Sequence, residues 1–154
     1  MRQPCLEAQM SLEGTIWKFE GIRRSGSGDP FFAMVAGAEH EFPMVFNSSY
    51  TLTPMLEVLW DGRDSKAPTT IFDNDIYVGA RLALNDIDDT VLQLDDTIDW
   101  RSGGQLLRLK GKRRIGSDWK LAAEINLFVG VRDDPLLWTY REDDHAMIRL
   151  RRFF

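Results

Sequence analysis

The run from Trp119 to Val129, WKLAAEINLFV, carries the clearest structural signal in the chain. Every second residue, from Trp119 through Leu121 and Ile125 to Val129, is apolar, and most of the residues between them are polar. A period of two gives an extended strand one apolar face and one mostly polar face, whereas a helix would scatter the same apolar residues around its axis. The run therefore predicts a β-strand whose two faces differ in chemistry.

The same alternation recurs in most of the chain, at 15–24, 31–42, 55–60, 76–85, 91–100, 107–112 and 145–154. Together these segments predict an all-β, antiparallel up-and-down meander of about eight strands, of the transmembrane β-barrel type. Long connections such as DGRDSKAPTTIFDND roughly alternate with short ones such as IGSD, which predicts long loops at one end and tight turns at the other. We divide the chain into an N-terminal lead-in segment, residues 1–10, and a β-barrel domain, residues 11–154.

Composition excludes several classes of protein. The 154 residues have a net charge of −5 and a pI near 5.0, which argues against a nucleic-acid partner bound by bulk charge. Cys5 is the only cysteine, so no internal disulfide is possible. No apolar run is long enough for a transmembrane helix, and the start, MRQPCLEAQM, lacks the apolar centre of a secretory signal.

Alternation alone leaves two orientations open. In a soluble calycin-like barrel the apolar faces point inward and bind an apolar small molecule, whereas in a membrane barrel they face lipid and the polar faces line the interior. Aromatic residues at strand ends favour the membrane orientation, because they match the aromatic girdles of membrane barrels. These residues are Trp17, Phe19, Phe42, Tyr50, Trp60, Trp100, Trp119 and Phe154.

Charged residues of both signs occupy the polar positions of the predicted strands. We expect them to neutralise one another across an enclosed lumen, with a solvated outer face as the alternative. The predicted lumen-facing residues are Lys18, Glu20, Glu57, Arg81, Arg108, Lys110, Lys112, Lys120, Glu124, Arg149 and Arg151. Five of them, Arg108, Lys110, Lys112, Arg149 and Arg151, would favour anions in such a lumen.

The last strand ends on an aromatic residue, and apolar residues precede it at alternate positions. Phe154, Leu150 and Ile148 resemble the terminal strand that the outer-membrane assembly machinery of Gram-negative bacteria recognises. Arg152 departs from that pattern, and we expect its long side chain to reach the membrane interface. Asp96 also departs, since it falls on the apolar side of its strand; either a bulge rotates it inward, or this strand has drifted from the barrel pattern.

Several longer stretches, spread over residues 15–154, resemble the C-terminal part of a porin-like, largely uncharacterised family of outer-membrane β-barrels from Gram-negative bacteria. They are WKFEGIRRSGSGDPFFAMVAGAEHEF, DNDIYVGARLALNDIDDT, RRIGSDWKLAAEINLF and DDPLLWTYREDDHAMIRLRRFF. Members of that family carry a secretory signal and further strands upstream, so the resemblance implies the last eight strands of a larger barrel. An eight-stranded barrel that closed alone would place both termini on the periplasmic side.

The sequence offers no catalytic constellation. His145 beside Asp143 and Asp144 is better interpreted as a polar loop edge than as a metal site, and the acidic residues Asp86, Asp88 and Asp89 as a solvated turn. We therefore predict a porin-like passive channel, or a fragment of one, that is not an enzyme and binds no metal or cofactor. Its expected location is the outer membrane, and its expected partners are membrane lipid and the β-barrel assembly machinery.

Overall fold

The computed structural model of the protein describes residues 2–26, 28–64, 70, 73–133 and 137–154. The strands are β1 Cys5–Leu12, β2 Thr15–Arg24, β3 Phe31–His40, β4 Phe42–Val45, β5 Tyr50–Asp61, β6 Asn74–Ala83, β7 Val91–Asp99, β8 Gln105–Ile115, β9 Trp119–Val129 and β10 His145–Arg152. Short 3₁₀ helices at Val131–Asp133 and Leu137–Tyr140 lie between β9 and β10. In these described ranges, no helix is both long enough and apolar enough to cross a lipid bilayer.

All the strands join one open antiparallel sheet in the order β1-β2-β3-β5-β6-β7-β8-β9-β10, and β4 pairs with β5 beside β3. Neighbours in the chain are therefore neighbours in the sheet, which confirms the predicted all-β, up-and-down meander. Within the described part of the chain, β1 and β10 each pair on one side only and form the two edges of the sheet.

The strand β4 continues β3 along the same side of β5. Glu39 of β3 lies opposite Met55, and Phe42 of β4 lies opposite Leu52, which keeps the same register across the interruption at Glu41. The register shifts only between Phe42 and Val45. Nine strands therefore follow one another across the sheet, and the expected number of about eight was too low by the strand β1.

The strand β1 lies largely in the segment predicted to be a lead-in. It pairs with β2 over its full length, from Cys5 opposite Ile22 to Leu12 opposite Thr15. Between the two strands Glu13 and Gly14 both have positive φ, 48° and 79°, as in the tight hairpin turns whose twist matches that of paired strands. Glycine takes this conformation without steric cost, so the pair Glu13-Gly14 is a local hairpin signal.

The connections differ at the two ends of the sheet. At one end, here called the turn end, lie the connections 13–14, 84–90 and 116–118, and at the other, the loop end, lie 25–30, 62–73, 100–104 and 130–144. The segment 41–49, which contains β4, also lies at the turn end and is longer than 100–104 at the loop end, so the predicted separation of tight turns from long loops is only partial. With nine strands in the order, β1 begins at the loop end and Phe154 follows β10 at the turn end. The expectation that both termini share one side was therefore wrong.

Candidate functional site: the polar face of the sheet

Each strand contributes alternate residues to a surface that we call the polar face. Register places the eleven predicted charged residues together on it, since partners in an antiparallel pair point to the same side. They lie on β2 (Lys18, Glu20), β5 (Glu57), β6 (Arg81), β8 (Arg108, Lys110, Lys112), β9 (Lys120, Glu124) and β10 (Arg149, Arg151).

The polar face is the sheltered one. Asp95 and Asn126, which lie on it, are 4% and 5% exposed, whereas Leu94 and Leu109 on the opposite, apolar face are 50% and 47% exposed. Soluble proteins normally bury apolar side chains and expose charged ones. The two faces of this sheet show the reverse arrangement.

A hydrogen-bonded group on β6, β7 and β8 surrounds the buried carboxylate of Asp95. The hydroxyl of Tyr77 donates to its Oδ1 at 2.7 Å, the amide of Gln93 donates at 2.8 Å, and the Lys110 ammonium lies 3.7 Å from Oδ2. Gly79 makes this possible, because a Cβ there would lie 2.7 Å from the Tyr77 hydroxyl and 2.9 Å from Asp95 Oδ1. The tyrosine therefore reaches its partner across a position that tolerates no side chain.

A second group joins β8, β9 and β10. Arg108 donates from Nε to the Asn126 side-chain oxygen at 2.9 Å, and the Asn126 amide donates to Glu124 at 3.0 Å. The same amide lies 3.1 Å from Nε2 of His145, whose Nδ1 lies 2.9 Å from the Asp143 carbonyl oxygen. His145 is thus part of the polar face rather than of a cluster with the carboxylates of Asp143 and Asp144.

Ion pairs also connect the charged residues of neighbouring strands. Lys18 contacts Glu39 at 3.1 Å, and Arg81 lies 3.8 Å from Glu41. Charges of opposite sign therefore neutralise one another locally along the face. The prediction that acidic and basic residues meet across an enclosed lumen stays a prediction, because the sheet is open.

A cavity of about 690 Å³ lies on the polar face toward the turn end. Its cationic lining residues are Arg81, Lys110, Lys112 and Arg149, and its anionic ones are Glu41 and Glu124. The volume is in the range of small-ligand sites. The cavity is therefore large enough to hold a small solute.

The apolar face carries aromatic side chains at its two ends. Trp17, Phe42 and Trp119 lie toward the turn end, and Phe32 and Trp60 toward the loop end, all of them on exposed positions. Between these aromatic ends the exposed residues are aliphatic: Leu56, Val58, Val78, Leu92, Leu94, Leu109 and Ile125. The apolar face therefore has exposed aromatic residues at both ends and an exposed aliphatic band between them.

Asp96 remains on the apolar face. It lies opposite Val78 on β6 and opposite Leu107 on β8, and the register of β7 is unbroken from Val91 to Ile98. The bulge suggested from the sequence is therefore not formed. In the described part of the chain, Oδ1 of Asp96 is buried without a hydrogen-bond partner.

The terminal strand exposes the residues predicted to form an assembly signal. Ile148 and Leu150 lie on the apolar face of the edge strand β10, and Phe154 follows the strand fully exposed. The guanidinium of Arg152 lies 5.5 Å from the ring centroid of Trp119 and 4.9 Å from that of Phe154. Cation–π contacts thus accommodate the one basic residue on this side of β10.

The acidic turn between β6 and β7 is held by its own side chains. Asp86 accepts hydrogen bonds from the backbone nitrogen of Thr90 at 2.8 Å and from its hydroxyl at 2.7 Å, and these bonds lower the pKa of the Asp86 carboxyl. Asp88 pairs with Arg113, and Asp89 lies 3.8 Å from Lys112. Among the described residues, no group of three or more His, Cys, Asp and Glu side chains is arranged to hold a metal ion.

Sequence reasoning did not identify Tyr77, Gln93, Asp95 and Asn126 as members of the polar face's buried groups. Their positions carried a usable signal, because each alternates with the apolar residues of its own strand. The contacts among them depend on the register between strands, which the alternation does not specify. No family model, curated protein or solved structure matches this chain, so the porin-like resemblance stays a prediction.

Proposed function

We propose that the chain forms the wall of an outer-membrane β-barrel, either a porin-like passive channel or the C-terminal part of one. One observation carries the proposal: the sheltered face of the sheet is polar and the exposed face is apolar. A bilayer makes this arrangement favourable, because lipid tails solvate the apolar side chains outside, while the charged side chains contact water on the enclosed side. The sheet itself is open, so the proposal includes closure through its two edges.

The belts of the apolar face support this proposal. Aromatic side chains such as Trp17, Trp119 and Trp60 flank an aliphatic band, and tryptophan is favoured where hydrocarbon meets head groups. The terminal residues Ile148, Leu150 and Phe154 are exposed and free to contact a recognition surface of the β-barrel assembly machinery. Membrane lipid and that machinery are the partners this proposal assigns.

The polar face accounts for the passive role. Several of its charged side chains are paired with neighbours, as in Lys18–Glu39 and Arg108–Glu124, so they line a surface along which water and ions move. The basic residues of β8 and β10, Arg108, Lys110, Lys112, Arg149 and Arg151, give the lumen a preference for anions. The calycin-like alternative requires an apolar interior, and the cavity on the sheltered face is instead lined by four cationic residues.

The test is whether folding requires an apolar medium. We expect the denatured protein to refold into detergent micelles or lipid vesicles, to resist unfolding in sodium dodecyl sulfate, and to change gel mobility on heating. Dilution into buffer without detergent should give aggregates. A folded, monodisperse protein in detergent-free buffer would contradict the proposal and favour the soluble barrel.

The second measurement concerns conduction. We expect refolded protein in planar bilayers to give discrete current steps, with a reversal potential that favours chloride over potassium in a salt gradient. A cation preference would contradict the assignment of anion selectivity. Complete absence of current from correctly inserted protein would contradict a channel, and the protein would then be a membrane barrel that does not conduct ions.

A further inference from the structure

In the cavity on the polar face, one small residue, Ala122, lies between two cationic residues. Ala122 of β9 lies opposite Lys112 of β8 on one side and opposite Arg149 of β10 on the other. Adjacent strands are separated by about 4.8 Å, so the two cationic residues have their backbones about 10 Å apart with a methyl group between them. All three residues line the cavity.

The pairing of these cations is incomplete. Three of the cationic lining residues have a carboxylate nearby: Arg81 lies 3.8 Å from Glu41, Lys110 3.7 Å from Asp95 and Lys112 3.8 Å from Asp89. Arg149 has no carboxylate within ion-pair distance in the described part of the chain, and its Nη2 approaches the sulfur of Met147 at 3.7 Å. The cavity therefore contains one unneutralised guanidinium beside a loosely paired ammonium.

Ala122 itself carries only a methyl group between the two cationic residues. Its row continues from Lys112 through Val91 on β7 and Ala83 on β6 to Thr51 on β5, and all of these residues line the cavity. The side-chain amides of Gln93 and Asn85 also line the cavity, but they donate to Asp95 and to Thr51, so the groups that attract an anion are the cations. Arginine recognises oxyanions with several parallel N–H donors, and lysine acts as a point charge beside it.

We propose that Lys112 and Arg149 form a binding site for a soluble, multivalent oxyanion, whose charged group lies over Ala122. The inference rests on the proposed function in that the polar face borders an aqueous lumen. Because the cavity is on the face opposite the apolar side chains, the anion arrives through water rather than as a lipid head group. Binding at this site would make the channel selective for particular oxyanions at the turn end, in addition to its general preference for anions.

Pyrophosphate is the probe for this site, used with the full chain refolded in detergent micelles at low salt. We expect isothermal titration calorimetry to give saturable binding with one site per chain. The double variant Lys112→Gln with Arg149→Gln should weaken that binding at least tenfold, which corresponds to one unit of log Kd. Circular dichroism and heat-modified gel mobility verify that each variant is folded.

Two further variants separate a site from bulk charge. Ala122→Glu keeps both cations and places a carboxylate between them, so it should abolish pyrophosphate binding. The double variant Lys18→Gln with Lys120→Gln also removes two positive charges from the polar face, at positions outside the cavity, and it should change binding less than twofold. Equal losses in the two double variants would overturn the proposal, as would folded wild-type protein that binds no pyrophosphate.

The readouts distinguish this inference from the proposed function. Pyrophosphate binding in micelles without current in bilayers would keep the site and refute the channel. Current without saturable pyrophosphate binding would keep the channel and refute the site. In a conducting protein, we also expect pyrophosphate to reduce the wild-type chloride current and to leave the current of Ala122→Glu unchanged, and an equal reduction in both would refute the site.

Discussion

The two faces of this one sheet obey opposite rules. On the polar face Asp95 is buried and accepts hydrogen bonds from Tyr77 and Gln93, while on the apolar face Leu94, its neighbour in sequence, is half exposed. Among the described residues, the buried hydrophobic side chains are Leu106, Val131 and Leu137. Folding of such a sheet therefore draws little on an internal apolar core and depends on the strand ladder and on the medium outside it.

The largest effect should come from placing a charge on the apolar face. Leu94→Lys in the middle of β7 should destabilise the protein by about 2–4 kcal/mol, because in the proposed membrane orientation a lysine there lies near the bilayer midplane without water. The matched control is Met55→Lys, which adds the same charge on the polar face opposite Glu39 and should cost less than about 1 kcal/mol. Urea unfolding in lipid vesicles, followed by tryptophan fluorescence, measures both values. Equal effects would mean that the two faces meet the same medium.

Smaller effects are expected at the adjacent carboxylates of Asp95 and Asp96, and the two should change stability in opposite directions. Asp95→Leu removes the acceptor of Tyr77 and Gln93 and the charge nearest Lys110, which should destabilise by about 2–3 kcal/mol. Asp96→Leu removes from the apolar face a carboxylate whose buried Oδ1 has no hydrogen-bond partner, which should stabilise by about 1–2 kcal/mol. The same unfolding assay compares the two. Destabilisation by Asp96→Leu would show that this carboxylate has a function that offsets its cost.

The smallest effect is expected in the turn between β6 and β7, outside the two faces. The folded-state pKa of Asp86 lies below its unfolded value because of hydrogen bonds from Thr90, so ionised Asp86 stabilises the turn above the unfolded pKa. That contribution should disappear as the pH falls through the folded pKa. Asp86→Asn should therefore flatten the acid limb of the stability profile slightly. An unchanged profile would show that Thr90 holds the turn without the charge.

The faces could be predicted from the sequence because side-chain direction in a strand depends only on position. Arg81, Lys110 and Arg149 were placed on one face by counting alternate residues, and the sheet brings them together around one cavity. Their partners could not be predicted in the same way. The contact between Tyr77 and Asp95 requires a particular register and a glycine at position 79, and alternation does not determine either.

The strand β1 shows where the prediction was too cautious. Leu6, Ala8, Met10 and Leu12 alternate with polar residues as clearly as in other strands, yet residues 1–10 are predicted only as a lead-in segment. Pairing with β2 over its full length gives this segment the backbone partners it needs. Strand β4 illustrates a different limit, because its continuity with β3 is visible only from their common partner β5.

An odd number of strands has a geometrical consequence for closure. With nine strands in the meander, β1 and β10 run in the same direction, so joining these edges directly would produce a parallel seam in an otherwise antiparallel wall. One additional strand, or any odd number of them, between the two edges would make every pair of neighbouring strands in a closed barrel antiparallel. The edge strand β1, which carries Glu7, would then pair with an antiparallel neighbour. The edge strand β10, which carries Arg149 and Arg151, would do the same.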